Sequence, residues 1–196
     1  MIQYNVYEEF QVRVISGFLK GREIAAPKGL HTRPTLAKVK EAMFGMIQFD
    51  VEGAVVLDLF SGSGGLGIEA LSRGAKKAFF CDSDRNAVSV VRENVRKLGL
   101  EDSSDIRYGD SISTLGSLRG SVFDIVLLDP PYASDLESRA LSELDSLGLL
   151  SDGAIVLCEH SKDNPPVFTG NYSARPARKY GDSYVTFAVY SREGDE

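Results

Sequence analysis

Asp129-Pro130-Pro131-Tyr132 follows directly on the apolar run Phe123-Asp124-Ile125-Val126-Leu127-Leu128. A strand that ends in a carboxylate, two prolines and an aromatic ring sets a hydrogen-bond acceptor beside a flat stacking surface. The prolines fix φ and bias the residue before each of them to extended backbone, so the loop joining acceptor to ring is stiff. These residue types suit chemistry on the amino group of a planar base. Such an amine is a poor nucleophile because its lone pair is delocalised into the ring. Acceptors aimed at its two protons, the Asp129 carboxylate and the Pro130 carbonyl, favour a pyramidal nitrogen and stabilise the positive charge that develops as a methyl group is transferred. Tyr132 would stack on the base, an interaction of about 1–3 kcal/mol in single-stranded sites. A base inside a duplex must first be flipped out or presented by a loop. Asp129, Pro130, Pro131 and Tyr132 are the catalytic candidates, and this chemistry requires neither a metal nor a covalent intermediate. Taken alone, the tetrapeptide also reads as a turn with a core tyrosine.

A second constellation lies upstream, in Val55-Val56-Leu57-Asp58-Leu59-Phe60-Ser61-Gly62-Ser63-Gly64-Gly65-Leu66-Gly67. This is a strand, a glycine-rich turn and a helix start, in which glycines permit positive φ and close backbone approach to a ligand. Gly62, Gly64 and Gly67 satisfy G-x-G-x-x-G, and Asp82 follows about 20 residues on, the spacing of a dinucleotide site. A nicotinamide-dependent dehydrogenase is therefore an open alternative. Asp58 inside the motif would meet a pyrophosphate with like charge and suits a cationic ligand better. S-adenosylmethionine, with a sulfonium and an ammonium group, is such a ligand. Asp82 can accept from both ribose hydroxyls, with Ser61 and Ser83 as further cofactor contacts. Asp84 reads as the N-cap of the next helix. Asp110, followed by Ser111, is placed either to accept from the adenine amino group or to cap a helix.

The elements that must position these residues are an alternation of short apolar runs and helix-like segments, which generates a parallel sheet covered on both faces. Strands are expected at 54–60, 76–81, 106–108, 122–128 and 154–158. Ala87, Val88, Val91, Val95 and Leu98 share one helical face, closed by Gly99 at a C-terminal cap. Leu136, Ala140, Leu141 and Leu144 give a further core-facing helix. Segments 172–179 and 183–190, around Tyr180-Gly181-Asp182, read as an antiparallel hairpin that finishes one sheet edge. Ahead of the sheet, 11–19 and 22–25 suggest a hairpin about Lys20-Gly21. A helix then starts near Pro34 or Thr35, with Leu36, Val39, Met43, Met46 and Ile47 on one face. In an open parallel sheet ligands collect beyond the carboxyl ends of the strands, so the glycine loop, Asp82, Asp110 and Asp129 should meet on one rim.

The 196 residues, 43% hydrophobic and 26% charged, fit one α/β unit with a small N-terminal flap: residues 1–50 as a basic, RNA-docking segment and 51–196 as the cofactor-binding domain. No apolar stretch is long enough to cross a bilayer and the N-terminus lacks a secretory pattern, so a cytoplasmic protein without membrane association is expected. Cys81 and Cys158 end apolar runs and read as buried reduced thiols. The net charge is −6, but residues 1–40 carry seven Lys/Arg against three Glu, leaving −10 on the remainder. Arg13, Lys20, Arg22 and Lys28 in that basic arm are candidates for contact with a phosphate backbone. The acidic end, 193–196, reads as a frayed tail.

Asp58–Gly67 with Asp129-Pro130-Pro131-Tyr132 resembles the class I amino-methyltransferases that use S-adenosylmethionine. A narrower resemblance runs from Arg13 over nearly the whole chain. Arg13-Val14-Ile15-Ser16-Gly17, Lys20-Gly21-Arg22, Pro27-Lys28-Gly29-Leu30, Thr32-Arg33-Pro34-Thr35 and Val39-Lys40-Glu41-Ala42-Met43-Phe44 are similar to the N-terminal segment of bacterial RsmD-type 16S rRNA guanine-N2 methyltransferases. Cys158-Glu159-His160-Ser161 and Lys179-Tyr180-Gly181 match later segments of that family. The resemblance implies a Rossmann-like seven-stranded sheet, mostly parallel with a C-terminal antiparallel hairpin, and methylation of guanine N2 in 16S rRNA within an assembling 30S subunit. It places Thr32, Arg33 and Pro34 near the methionine end of the cofactor, although Arg33 equally suits RNA contact or a helix-start salt bridge. A monomer is expected. DNA adenine N6, another RNA base or a protein amide remain alternative targets. Leu36-Ala37 departs from the polar pair usual after Thr-Arg-Pro-Thr. His31 and His160 are read as structural, since methyl transfer to an amine needs no histidine relay.

Overall fold

The computed structural model describes residues 11–27, 34–131 and 135–192. Two short strands, β1 (Gln11–Arg13) and β2 (Glu23–Ala25), pair antiparallel and lead to helix α1 (Pro34–Met46). There follow β3 (Val55–Leu59), α2 (Gly65–Ser72), β4 (Lys77–Asp82), α3 (Arg85–Leu98), β5 (Ser104–Tyr108), α4 (Ser111–Leu115), β6 (Phe123–Leu128), α5 (Leu136–Ser146) and β7 (Leu150–His160). The chain closes with β8 (Tyr172–Ala174), β9 (Arg178–Tyr180) and β10 (Ser183–Tyr190). The main sheet has the order β5-β4-β3-β6-β7-β10-β8, with β9 also on β10. Strands β3 to β7 are parallel and β10 runs antiparallel to β7.

Strand periodicity divides the core into two layers. Val56, Ala78, Phe80, Ile125, Leu127, Ile155 and Leu157 face α1, α2 and α3, packing on Met43, Phe44, Ile68, Val91 and Val95. Leu57, Leu59, Cys81, Val126, Leu128, Val156 and Cys158 face Leu115 of α4 and Ala140, Leu141 and Leu144 of α5. Both cysteines are buried and free, as the sequence suggests. Helix α3 is capped as expected: Asp84 accepts from the Asn86 N–H at 2.8 Å, and Gly99 is left-handed at φ 68°. His160 is also structural, with its ring nitrogens 2.8 Å from the Ser161 carbonyl and 2.9 Å from Thr186 Oγ1.

Three expectations are corrected. The segment 172–179 is two strands, because Pro176 has no N–H for the ladder and interrupts pairing between Ala174 and Arg178. Together β8 and β9 fill one edge position, so the sheet keeps seven positions. Strand β7 begins earlier than expected, at Leu150, with an irregularity in pairing between Phe123 and Ile125 that accommodates Gly153 at φ 79°. The first hairpin is shorter than expected: β1 stops at Arg13, Val14 still bonds across to Arg22 and Gly21, and from Ile15 the chain leaves the ladder to bond elsewhere. Ile15 and Ser16 N–H groups donate to Glu69 on α2 at 2.8 and 2.9 Å, and Leu19 N–H donates to Ser72 Oγ at 3.0 Å.

These bonds tie the N-terminal segment to the sheet. Val14, Leu19 and Ile24 enter the same apolar layer as α1 and α2. Gly17 sits so close to α2 that a Cβ there would lie 1.7 Å from the Ser72 carbonyl oxygen, and its φ is +81°. Both the space and the backbone conformation exclude a side chain. Among the described residues, no helix is long and apolar enough to cross a membrane.

Candidate active site

Strand register explains why three carboxyl groups share one cavity. Asp58 lies opposite Leu127 on β6, and Leu128 lies opposite both Leu59 and Cys158. Asp129 follows Leu128, so it is flanked by the end of β3 and by Glu159 of β7. Alternation puts Asp58, Asp129 and Glu159 on the face covered by α1 and α2. There they line a cavity of about 860 Å³ with Phe60, Ser61, Gly62, Ser63, Gly65 and Leu66 from the glycine loop. Val12, Arg13, Val14, Lys20, Ala37, Lys38 and Lys40 close it from the hairpin and α1.

The glycines have separable duties. Gly62 and Gly64 adopt φ 54° and 77°, and the turn also holds Phe60 at φ 71°, a strained conformation for an aromatic residue. Gly67 serves packing: a Cβ on it would stand 2.3 Å from Cε1 of Phe80 on β4. That close approach lets the Gly67 N–H donate to Asp58 Oδ2 at 2.8 Å. Asp82 holds the other side of the loop, accepting from Gly62 N–H at 2.8 Å on one oxygen and from Asp84 N–H at 2.9 Å on the other. A carboxylate has about four acceptor positions, so capacity remains for hydroxyl groups.

Electrostatics mark the cavity strongly. Burial pushes the Asp58 carboxyl up to about 7, against the lowering effect of the Gly67 N–H, with Asp82 adding repulsion. Asp129 is held well above the ordinary carboxylate range by burial and then by Glu159, Asp58 and Glu137. The sheet side of the cavity, with Asp58, Asp129 and Glu159, opposes a pyrophosphate and favours a cation, whose arrival restores the charged form of the buried carboxyls; the cations Arg13, Lys20, Lys38 and Lys40 lie on the opposite, hairpin and α1 side. Ser61 adds an independent sign of a polar ligand: its hydroxyl is buried, lines the cavity and has no hydrogen-bond partner among the described residues. The residues present fit S-adenosylmethionine.

Among the sequence candidates, Asp58, Ser61, Gly62 and Asp129 line the cavity together with Arg13 and Lys20. Arg13 also pairs with Glu23 on the surface, at 2.6 Å. Pro130 is buried beside Asp129, while Pro131 and Arg22 are exposed. Asp82, Ser83, Asp110 and Ser111 lie further along the same rim, where Gly109 N–H donates to the Asp82 carbonyl at 3.1 Å. Asp110 caps α4, accepting from Ser113 N–H at 2.8 Å, and that bond lowers its pKa. The side chain remains exposed. Lys28, His31, Thr32, Arg33 and Tyr132 lie outside the described residues; Pro34 opens α1.

Sequence reasoning did not single out the groups that fasten the flap over this cavity. Glu69, fully buried on α2, accepts from Ile15 and Ser16, pairs with Arg73 at 2.9 Å and meets Lys40 of α1 at 3.2 Å. Lys40 also donates to the Arg13 carbonyl at 2.8 Å, and burial lowers its pKa despite the neighbouring Glu69. Asn94 on α3 accepts from Ala25 N–H and donates to the carbonyls of Ala25 and Ser63, each at 2.9 Å. It therefore stitches β2 to the glycine loop. Glu159 was visible only as part of a family segment, and its place beside Asp129 follows from strand pairing.

Comparison with known proteins agrees with this geometry. The family described as Conserved hypothetical protein 95 matches residues 12–189. Ribosomal RNA small subunit methyltransferase D of Escherichia coli strain K12 is 32% identical over 93% of this chain and 91% of its own length. YlbH of Bacillus subtilis is 37% identical over 93% of this chain and its entire length. The solved structure of Escherichia coli yhhF superposes with a TM-score of 0.84 at 29% identity, covering 94% of this chain and all of that one. An RNA methyltransferase from Salinibacter ruber, solved with S-adenosyl-L-homocysteine, shares the fold at 20% identity and a TM-score of 0.62, over 85% of this chain and 97% of that one. By sequence along nearly all its length and by its class I methyltransferase sheet, this chain belongs to the Conserved hypothetical protein 95 family, that of the RsmD-type enzymes.

Proposed function

We propose that this protein is an S-adenosylmethionine-dependent rRNA methyltransferase whose target is the exocyclic N2 amine of a guanine in 16S rRNA, within an assembling 30S subunit. The observation that carries the reading is the shared rim: Asp129, at the end of β6, lines the same cavity as the glycine loop and Asp58. S-adenosylmethionine, when bound, supplies an electrophilic methyl group. Asp58 and Ser61 hold its polar end, and Asp82 and Asp110 serve the ribose and adenine. Thr32, Arg33 and Pro34 belong to the methionine end, and Ser83 and Ser111 flank the nucleoside. The Asp129 carboxylate and Pro130 carbonyl accept from the target amine, localising its lone pair and stabilising developing positive charge. Tyr132 stacks on the base. Residues 1–50 act as an RNA-docking flap through Arg13, Lys20, Arg22 and Lys28, and the enzyme works as a cytoplasmic monomer.

The test is mass mapping of N2-methylguanosine in 16S rRNA from cells with and without the protein, joined to transfer of labelled methyl groups in vitro to 30S particles, naked rRNA, DNA and protein. Loss of one modified guanosine in the deficient cells and label in rRNA are expected; label confined to DNA or protein would overturn the assignment. Asp129→Ala should reduce turnover by about 10²–10³, the range for removing one polar group that stabilises a transition state, with S-adenosylhomocysteine binding retained. Tight NAD binding without S-adenosylhomocysteine binding would instead select a dehydrogenase.

A further inference from the structure

A second cleft, of about 480 Å³, lies between the end of α1 and the β8–β9 edge, lined by Met46, Arg175, Pro176, Ala177, Arg178, Val185 and Phe187. It arises from the break that Pro176 makes in the edge strand. The five residues from Arg175 to Lys179 carry three cations and no carboxylate. All three cations are exposed, and among the described residues none forms an ion pair. Asp182, in the following turn, is the nearest acid in sequence. Their setting is unusual for this chain, whose residues beyond 40 sum to −10.

Arg175 is held in a definite pose. Its guanidinium carbon stands 4.5 Å from the centre of the Phe187 ring, and its backbone N–H donates to the Phe187 carbonyl at 2.8 Å. A guanidinium placed over an aromatic face can still offer donors to a phosphate, with less freedom left to lose on binding. Met46, Pro176 and Phe187 supply an apolar wall beside those donors. Pockets for small ligands run about 300–1,000 Å³, so the cleft accommodates a sugar–phosphate unit with part of its base.

Helix α1 connects this cleft to the catalytic cavity. Ala37, Lys38, Lys40 and Glu41 line the cavity and Met46 lines the cleft. From Lys38 to Met46 the helix rises about 12 Å, a distance that a single RNA chain crosses in a few nucleotides. We propose that the α1–β9 cleft is a second RNA-binding site, in which Arg175, Arg178 and Lys179 grip the sugar–phosphate backbone flanking the nucleotide in the catalytic cavity. This rests on the rRNA methyltransferase reading given above.

The test uses R178A/K179A and, in the opposite direction, Asp182→Lys, all in the full chain, with 16S rRNA and unmethylated 30S particles as probes. Each lost phosphate contact makes the slope of log K against log salt shallower by about 0.7 for single strands. The double variant should lose about 1.4 in slope and at least tenfold in RNA affinity. Its KM for RNA should rise while kcat and S-adenosylmethionine affinity hold. Asp182→Lys should steepen the slope, an outcome that misfolding cannot imitate. Wild-type slope and KM in all the variants, with wild-type enzyme methylating rRNA normally, would overturn this site and leave the activity standing. Failure of the wild-type enzyme to bind or methylate rRNA would overturn both.

Discussion

Replacing Asp58 by Asn should stabilise the ligand-free protein at alkaline pH while weakening its hold on the cofactor. Asp58 is almost fully buried and its carboxyl is pushed up to about 7 from 3.8, chiefly by burial. Between those values the folded state keeps a proton that the unfolded chain releases, so stability falls as pH rises and levels off above 7. The full window corresponds to about 4 kcal/mol at 1.36 kcal/mol per unit, and the accessible part from pH 5 to 7 to about 3 kcal/mol. Asparagine cannot ionise, yet its carbonyl can still accept from the Gly67 N–H. Urea unfolding at pH 5 and pH 8 should therefore show Asp58→Asn gaining about 3 kcal/mol relative to wild type between the two. Asp58 also helps to raise Asp129, so relief of that repulsion adds in the same direction. Calorimetry gives the second readout: a cationic ligand draws Asp58 to its carboxylate form, so wild type should release roughly 0.9 proton on binding S-adenosylmethionine at pH 6, an amount set by a pKa near 7. Equal pH dependence of stability, or equal proton release, in wild type and variant would refute the role given to Asp58.

Gly67→Ala should cost about 1–3 kcal/mol by overpacking against Phe80 and weaken cofactor binding; Phe80→Leu in the same chain should restore part of the melting temperature. Glu69→Ala leaves Lys40 and Arg73 without their buried partner and should cost about 3–5 kcal/mol in denaturant unfolding, with Ile15 and Ser16 amides gaining hydrogen exchange first. Asn94→Leu should leave the Ala25 and Ser63 groups unpaired, costing about 1–3 kcal/mol for each group left unsatisfied, and should lower affinity for S-adenosylhomocysteine because Ser63 belongs to the glycine loop. Tyr132→Ala should raise KM for RNA by an amount equivalent to about 1–3 kcal/mol of lost stacking, while cofactor affinity measured by calorimetry stays constant.

The amino-acid sequence by itself determined the parallel strands, helix α3 with Asp84 and Gly99 at its ends, and the candidate pair of loops after β3 and β6. Those features are local: alternation of apolar residues, capping side chains and glycine turns act over a few residues and leave a pattern in the order of types. The first hairpin is shorter than its residue types suggest because Ile15, Ser16 and Leu19 find their partners on α2, more than 50 positions away. Glu69 and Asn94 gave no sequence signal and Lys40 appeared only within a family segment for the same reason, since a charged or amide residue on a helix reads as solvated until tertiary contacts bury it. Tertiary structure alone decided that Asp58, Asp129 and Glu159 share a face, where burial and then Glu159 and Asp58 raise the proton affinity of Asp129. Strand register sets that meeting, and register is a property of the folded sheet. The sequence named Asp129 as the candidate carboxylate, and the fold supplied the half-closed chamber that sets it beside Asp58 and Glu159.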